Sequence, residues 1–191
     1  MKKTRLEAFS DGVIAIIITI MVLEFKVPHT NDIEALLPLV PKFISYLLSF
    51  IYIGIYWNNH HHMMHMAKSV NGMSLWANLN LLFWLSLIPF ATAWMGENNF
   101  TKWPVALYGF VLFMNAVAYS LLFKQLTKPH HQNNELQAAV GDGKKERLSL
   151  ILYVVAIAAA FLYTWISLGI FIIVAAIWFI PDNRIEKTLD E

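Results

Sequence analysis

Cysteine is absent from all 191 residues, which excludes a disulfide framework, a thiol nucleophile and a thiolate metal site, and leaves the redox compartment unmarked. Charge is nearly as scarce: Asp, Glu, Lys and Arg make up 14% of the chain, where an ordinary soluble domain carries about 25%. The formal net charge is only +1, and the 14 basic residues are scattered among the flanks of apolar runs with no continuous patch, so nucleic acid is excluded as a partner. Also missing are the H-E-x-x-H and G-x-S-x-G signatures and any pair of intramembrane aspartates, so no enzyme is expected. No internal repeat with a period of 20 to 50 residues and no stretch suited to a soluble domain can be found. What fills the sequence instead is apolar surface, at 58% hydrophobic residues, and that composition belongs to a bilayer.

A membrane-crossing helix needs about 20 mostly apolar residues. Five regions reach that length: Leu6 to Val27, Leu39 to about His60, Leu75 to Met95, Val105 to Phe123, and Leu148 to Ile180. The core of the first, Gly12 to Leu23, is as short as a signal-peptide core, but Glu24-Phe25-Lys26-Val27-Pro28 follows it without a small-x-small cleavage site, so it is kept as a helix. The last region runs 33 residues without a charge, too long for one span at ordinary tilt, and Tyr163-Thr164-Trp165 near its middle suits an interfacial turn. Splitting it there gives six helices, in an all-α polytopic membrane protein of one domain, residues 1–191. One long tilted helix is the competing arrangement.

Basic residues decide between the two. With six helices, Lys2, Lys3, Arg5, Lys68, Lys124, Lys128, Lys144, Lys145, Arg147, Arg184 and Lys187 fall on one side, and only Lys26, Lys42 and Lys102 on the other. The positive-inside rule then puts both termini in the cytoplasm, whereas five helices would send Arg184 and Lys187 outside and weaken the asymmetry. The polar segment Lys128 to Glu146, with Pro129, Gly141 and Gly143, is expected to be a mobile cytoplasmic loop. Trp57, Trp76, Trp94, Trp103, Trp165 and Trp178 fall near predicted span ends, where indole rings favour the headgroup region.

Chemistry-bearing residues concentrate in the first span, which holds Asp11 beside its apolar core and Glu24 at its close; ionisable groups in or near a membrane are functional candidates. At 100° per residue, Gly12, Ile16, Thr19, Ile20 and Leu23 share one face within about 80°, and Asp11 lies roughly 140° from Ile16. Such a stripe is equally what a lipid-facing or packed helix presents. Arg5 and Phe9, four residues apart, permit a cation–π contact, and Arg5 serves equally as a positive-inside anchor. His60, His61, His62 and His65 include an i, i+4 pair able to share a metal, but no carboxylate lies within the cluster, and no metal site is expected. Pro89 is expected to kink the third span.

The run Arg5-Leu6-Glu7-Ala8-Phe9-Ser10-Asp11 matches an R-x-x-x-F-S-D signature, and with it the chain resembles the family of transmembrane protein 175, the endolysosomal potassium channel, and its prokaryotic relatives. Ala15-Ile16-Ile17-Ile18-Thr19 and Leu23-Glu24 resemble the rest of that family's first helix, Trp57-Asn58-Asn59-His60 its W-x-x-H, and Leu87-Ile88-Pro89-Phe90-Ala91-Thr92 its L-x-P-F-x-T. Helices four to six fit in number and hydropathy alone. The resemblance implies a six-helix repeat whose first helices surround a central pore, in a homotetramer of single-repeat subunits in a prokaryotic plasma membrane. It implies that Ile16, Ile20 and Leu23 form a hydrophobic constriction with Thr19 adding a ring of hydroxyls, and that potassium ions permeate without any cofactor. No T-V-G-Y-G filter occurs, so selectivity has to come from another device.

Asp11, facing away from the stripe, is assigned to a buried network with Ser10, Trp57 and His60 and with one of Asn58, Asn59 or Asn80, because a charge there needs a partner. A proton-coupled secondary transporter using Asp11 and His60 as a relay is the alternative function. Six helices without an inverted repeat or paired broken helices are a thin basis for alternating access.

Overall fold

The computed structural model describes residues 3–67, 69–127 and 143–179, and every regular element among them is helical. In chain order these are α1 (Lys3–Leu23), a 3-10 helix (Ile33–Leu39), α2 (Val40–Met66), α3 (Gly72–Ser86), α4 (Ile88–Glu97), α5 (Lys102–Leu126), α6 (Lys144–Ala159) and α7 (Thr164–Phe179). α3 and α4 are halves of one apolar stretch, so the pieces make six helices among the described residues. Among the described residues four stretches are long and apolar enough to cross a bilayer: α1, Ile33–His65, Gly72–Glu97 and α5. The 33-residue apolar region does break, at a turn that ends with Tyr163 and delivers Thr164 as the first residue of α7.

Several boundaries differ from expectation for identifiable reasons. α1 stops at Leu23, not Val27, because Pro28 has no N–H for the carbonyl four residues back and pushes Val27 out of the helical region. α2 runs past His60 to Met66, so the histidine run lies on a helix. Pro89 breaks the third span outright: Leu87 N–H turns back to the Trp84 carbonyl, and Asn115 Nδ2 of α5 donates to the same oxygen at 3.2 Å. Of the expected loop from Lys128, residues 128–142 lie outside the described residues, and Lys144 to Glu146 already belong to α6. The basic residues at 184 and 187 lie outside as well.

α5 is the hub, packed against α3, α4, α6 and α7, and 56% of its apolar stretch is buried, against 28% for α1. Gly109 lets α6 and α7 approach, since a Cβ there would sit 3.0 Å from both Ile157 Cγ1 and Phe171 Cζ. Buried hydroxyls are paired across helices: Ser49 Oγ lies 2.7 Å from Thr92 Oγ1 and 3.0 Å from the Tyr108 hydroxyl, and the Tyr52 hydroxyl donates to the Phe171 carbonyl at 2.6 Å. α1 is peripheral and touches only α2, α3 and α4 among the helices it packs against closely.

Candidate pore helix and its anchoring network

α1 has two apolar faces with different fates. Leu6, Ser10, Ile14, Ile17 and Met21 are buried against the neighbouring helices. Ile16, Ile20 and Leu23 are 58%, 42% and 77% exposed, and Gly12 and Thr19 are exposed beside them. The two sets are centred roughly 140° apart around the helix. Arg5 and Phe9 are also exposed and lie within about 20° of Ile16, so they extend the outer stripe toward the helix start. Thr19 donates its hydroxyl proton to the Ile16 carbonyl at 2.9 Å, which leaves the oxygen lone pairs facing outward. Alongside runs an open groove of about 680 Å³ between α1 and α4, lined by Ile16, Ile20, Glu24, Phe90, Trp94 and Glu97 among others.

The polar anchoring of α1 divides into two separate sets. In the buried one, Ser10 Oγ donates to the Leu6 carbonyl at 3.0 Å, Asn78 Nδ2 donates to Ser10 Oγ at 2.9 Å, and Asn78 Oδ1 meets His60 Nε2 at 2.8 Å. An amide oxygen only accepts, so with Asn78 oriented to donate to Ser10, the His60 proton sits on Nε2. His60 Nδ1 is buried with no partner among the described residues. In the second set, half-buried Asp11 accepts from Trp57 Nε1 at 3.0 Å. The structure thus joins Ser10 to His60 and Asp11 to Trp57, and no hydrogen bond runs from Asp11 to His60. The asparagine that completes the buried set is Asn78, not Asn58, Asn59 or Asn80, and Asn59 turns its amide back to the Ile55 carbonyl. Trp57 is thus a hydrogen-bond donor to α1 as well as an exposed ring. The two groups a proton-coupled transporter would use stand on different networks. Among the described residues no three His, Asp or Glu side chains converge as a metal set.

The family profile described as endosomal/lysosomal potassium channel TMEM175 matches residues 5–89, from Arg5 in α1 to Pro89 at the helix break. A potassium channel of Chryseobacterium sp. (strain P1-3) is 54% identical over 191 residues, covering the whole of both chains. The chain belongs to the TMEM175 family. A crystal structure of a homolog, from Chamaesiphon minutus, of the lysosomal potassium-selective channel TMEM175 aligns with a TM-score of 0.79 at 30% identity over 92% of this chain and 95% of that one. Human TMEM175, described as an endosomal/lysosomal proton channel, is 29% identical over 90% of this chain and 38% of its own length. As a TMEM175 family member the chain is an integral membrane channel protein and not an enzyme, and α5, α6 and α7, which motifs did not reach, fall within the full-length match.

Proposed function

We propose that the chain is one subunit of a potassium-permeable homotetramer in which the outer stripe of α1 lines a central pore. The observation that carries this is the exposure of Ile16, Ile20 and Leu23 on the least buried long helix but one, opposite the face that packs. The names of the Chryseobacterium and Chamaesiphon relatives support potassium as the permeant ion. Residues 1–191 act as a single repeat, surrounded by lipid in a prokaryotic plasma membrane, with both termini in the cytoplasm; the ends of α1, α5 and α6 on that side carry Lys3, Arg5, Lys124, Lys144, Lys145 and Arg147.

Spacings of four and three residues stack Ile16, Ile20 and Leu23 over about 10 Å of helix rise. Four copies form a dry plug, a high barrier to a cation that loses water and meets no replacing oxygen, and opening widens it. Thr19, with its lone pairs turned outward, offers the nearest oxygen ring. The test is current through planar bilayers with potassium on one side and sodium on the other. Ile16→Asn raises resting conductance and moves the reversal potential toward zero, whereas Ile17→Asn, on the buried face, lowers stability instead. Equal leak from both variants, or none from Ile16→Asn in a verified tetramer, removes this stripe as the gate.

A further inference from the structure

A cavity of about 30 Å³ lies inside the bundle between α2, α5, α6 and α7, at the end of the molecule where α6 begins. No residue of α1 lines it. Its walls are largely aromatic: Tyr52 and Tyr56 come from α2, Tyr119 from α5, Tyr153 from α6 and Trp178 from α7. Tyr56 and Tyr119 meet edge to face with centroids 6.2 Å apart, and Tyr119 and Trp178 do the same at 6.0 Å. In such a contact one ring of each pair keeps its faces clear of the other, and a clear aromatic face attracts a cation.

The polar part of the lining is biased toward acceptors. Its donors are already engaged: Trp178 Nε1 donates to Ser149 Oγ at 2.8 Å, Ser149 passes its own proton to the Lys145 carbonyl at 2.8 Å, and Asn59 Nδ2 turns to the Ile55 carbonyl at 2.8 Å. The Tyr52 hydroxyl is held by the Phe171 carbonyl at 2.6 Å. Left over are Asn59 Oδ1, the Tyr56 and Tyr119 hydroxyls and the Glu146 carboxylate, none of which has a hydrogen-bond partner or ion pair among the described residues. Tyr56 and Tyr119 are nonetheless 9% and 8% exposed, so water from outside does not readily satisfy them. Glu146, in the first turn of α6, is half-buried, and a carboxylate in that setting is stabilised by a positive partner.

Size narrows the partner. One water needs about 10–15 Å³ of such a cavity, so the space takes about two water-sized groups. An ammonium nitrogen and the first carbon behind it fill that space, with the remainder of the molecule leaving past the half-buried Asn59 and Glu146. A quaternary ammonium head is too bulky. A bare potassium ion meets too few oxygens among these rings to replace its water.

We propose that this cavity is a binding site for the head of a primary alkylammonium ion, held by the Glu146 carboxylate, the Tyr56 and Tyr119 hydroxyls and the aromatic walls. The three N–H groups of the head match the acceptors left open, and the tail reaches the side assigned above to the cytoplasm. The site shares no residue with the α1 stripe or with the Ser10 network, and it does not rest on the pore assignment.

The experiment is thermal unfolding of the full chain in detergent, titrated with ethylammonium chloride at constant ionic strength set by sodium chloride. The melting temperature rises saturably, by about 2–4 °C at about four times the dissociation constant. Tetramethylammonium and potassium chlorides leave it unchanged. Glu146→Gln weakens binding about tenfold or more, because the charged acceptor is lost, and Tyr119→Phe, which keeps the ring, weakens it about fivefold. Glu97→Gln, at the far end of the bundle, leaves the titration midpoint where it was. A merely structural role for Glu146 would lower the ligand-free melting temperature and leave the midpoint alone; if Glu146→Gln does not fold, the midpoint of Tyr119→Phe decides. The proposal is overturned if ethylammonium gives no saturable shift, which means ordered water only, if the midpoint ignores these substitutions, or if tetramethylammonium or potassium matches ethylammonium.

Discussion

Gly96 sits where α4 crosses α2, and replacing it with alanine reverses the usual sign of a glycine-to-alanine change. In an open helix position that change stabilises by about 0.5–1 kcal/mol, because glycine loses more backbone freedom on folding. At Gly96 the new Cβ would lie 2.5 Å from Ser45 Oγ and 2.8 Å from Lys42 Cα. Ser45 is 1% exposed and its hydroxyl is engaged with the Lys42 carbonyl at 2.9 Å, so it cannot swing clear, and Lys42 Cα is backbone. The helices have to part, at the cost of about 1–3 kcal/mol typical of overpacking. Separation also stretches the 2.8 Å contact between Lys42 Nζ and Glu97 Oε1, though an exposed ion pair adds at most about 1 kcal/mol. A net loss of about 1–2 kcal/mol is expected once the helix gain is subtracted. Gly54, on the same helix as Ser45 and with nothing within 4 Å of its would-be Cβ, is the control and should gain up to about 1 kcal/mol on changing to alanine. Thermal unfolding in detergent, followed by tryptophan fluorescence, reads both. Gly96→Ala matching or exceeding Gly54→Ala in stability would refute the close α2–α4 crossing, and Gly96→Ala combined with Ser45→Ala should recover part of the loss, because only the backbone contact then remains.

Asn78→Leu should cost about 1–3 kcal/mol in the same assay, since it leaves His60 Nε2 buried without its 2.8 Å partner and takes the donor from Ser10; a neutral effect would mean that water reaches the site. For topology, the absence of native cysteine allows clean labelling. A cysteine placed by Lys144→Cys should react with an impermeant thiol reagent only from the cytoplasmic side and one placed by Asn98→Cys only from outside, and the reverse pattern would invert the proposed orientation.

Much of the fold was legible because it follows from length and charge. Thirty-three uncharged residues cannot stay in one span, and the aromatic-hydroxyl step at Tyr163-Thr164 marked the break to within a turn. What hydropathy could not supply was direction. A soluble helix declares its buried face by polarity, whereas lipid is as apolar as a protein core, so Ile16 and Ile17 look alike in sequence although one is 58% exposed and the other 4%. For the same reason Asn78 and Asn80 were indistinguishable, and only the packing of α3 against α1 and α2 selects the former. The helical run to Met66 was missed because histidine and asparagine lower hydropathy without stopping a helix. The cavity that joins Tyr56, Tyr119 and Glu146 gathers residues from four helices and carried no motif to announce it.

The α6–α7 hairpin is short for its surroundings. Its first arm, α6, has 16 residues between Gly143 and the turn and reaches about 24 Å, whereas the hydrocarbon layer is about 30 Å thick and the 27-residue α2 exceeds it. A subunit of unequal walls cannot suit one flat slab of lipid, so acyl chains next to the hairpin have to shorten or tilt while those next to α2 do not. Phe161, Leu162 and Tyr163 are exposed at its tip, and aromatic rings favour the headgroup region. Bilayer thickness thereby acts as a mechanical load on one flank of the molecule, and membranes of shorter acyl chains hold it with less deformation.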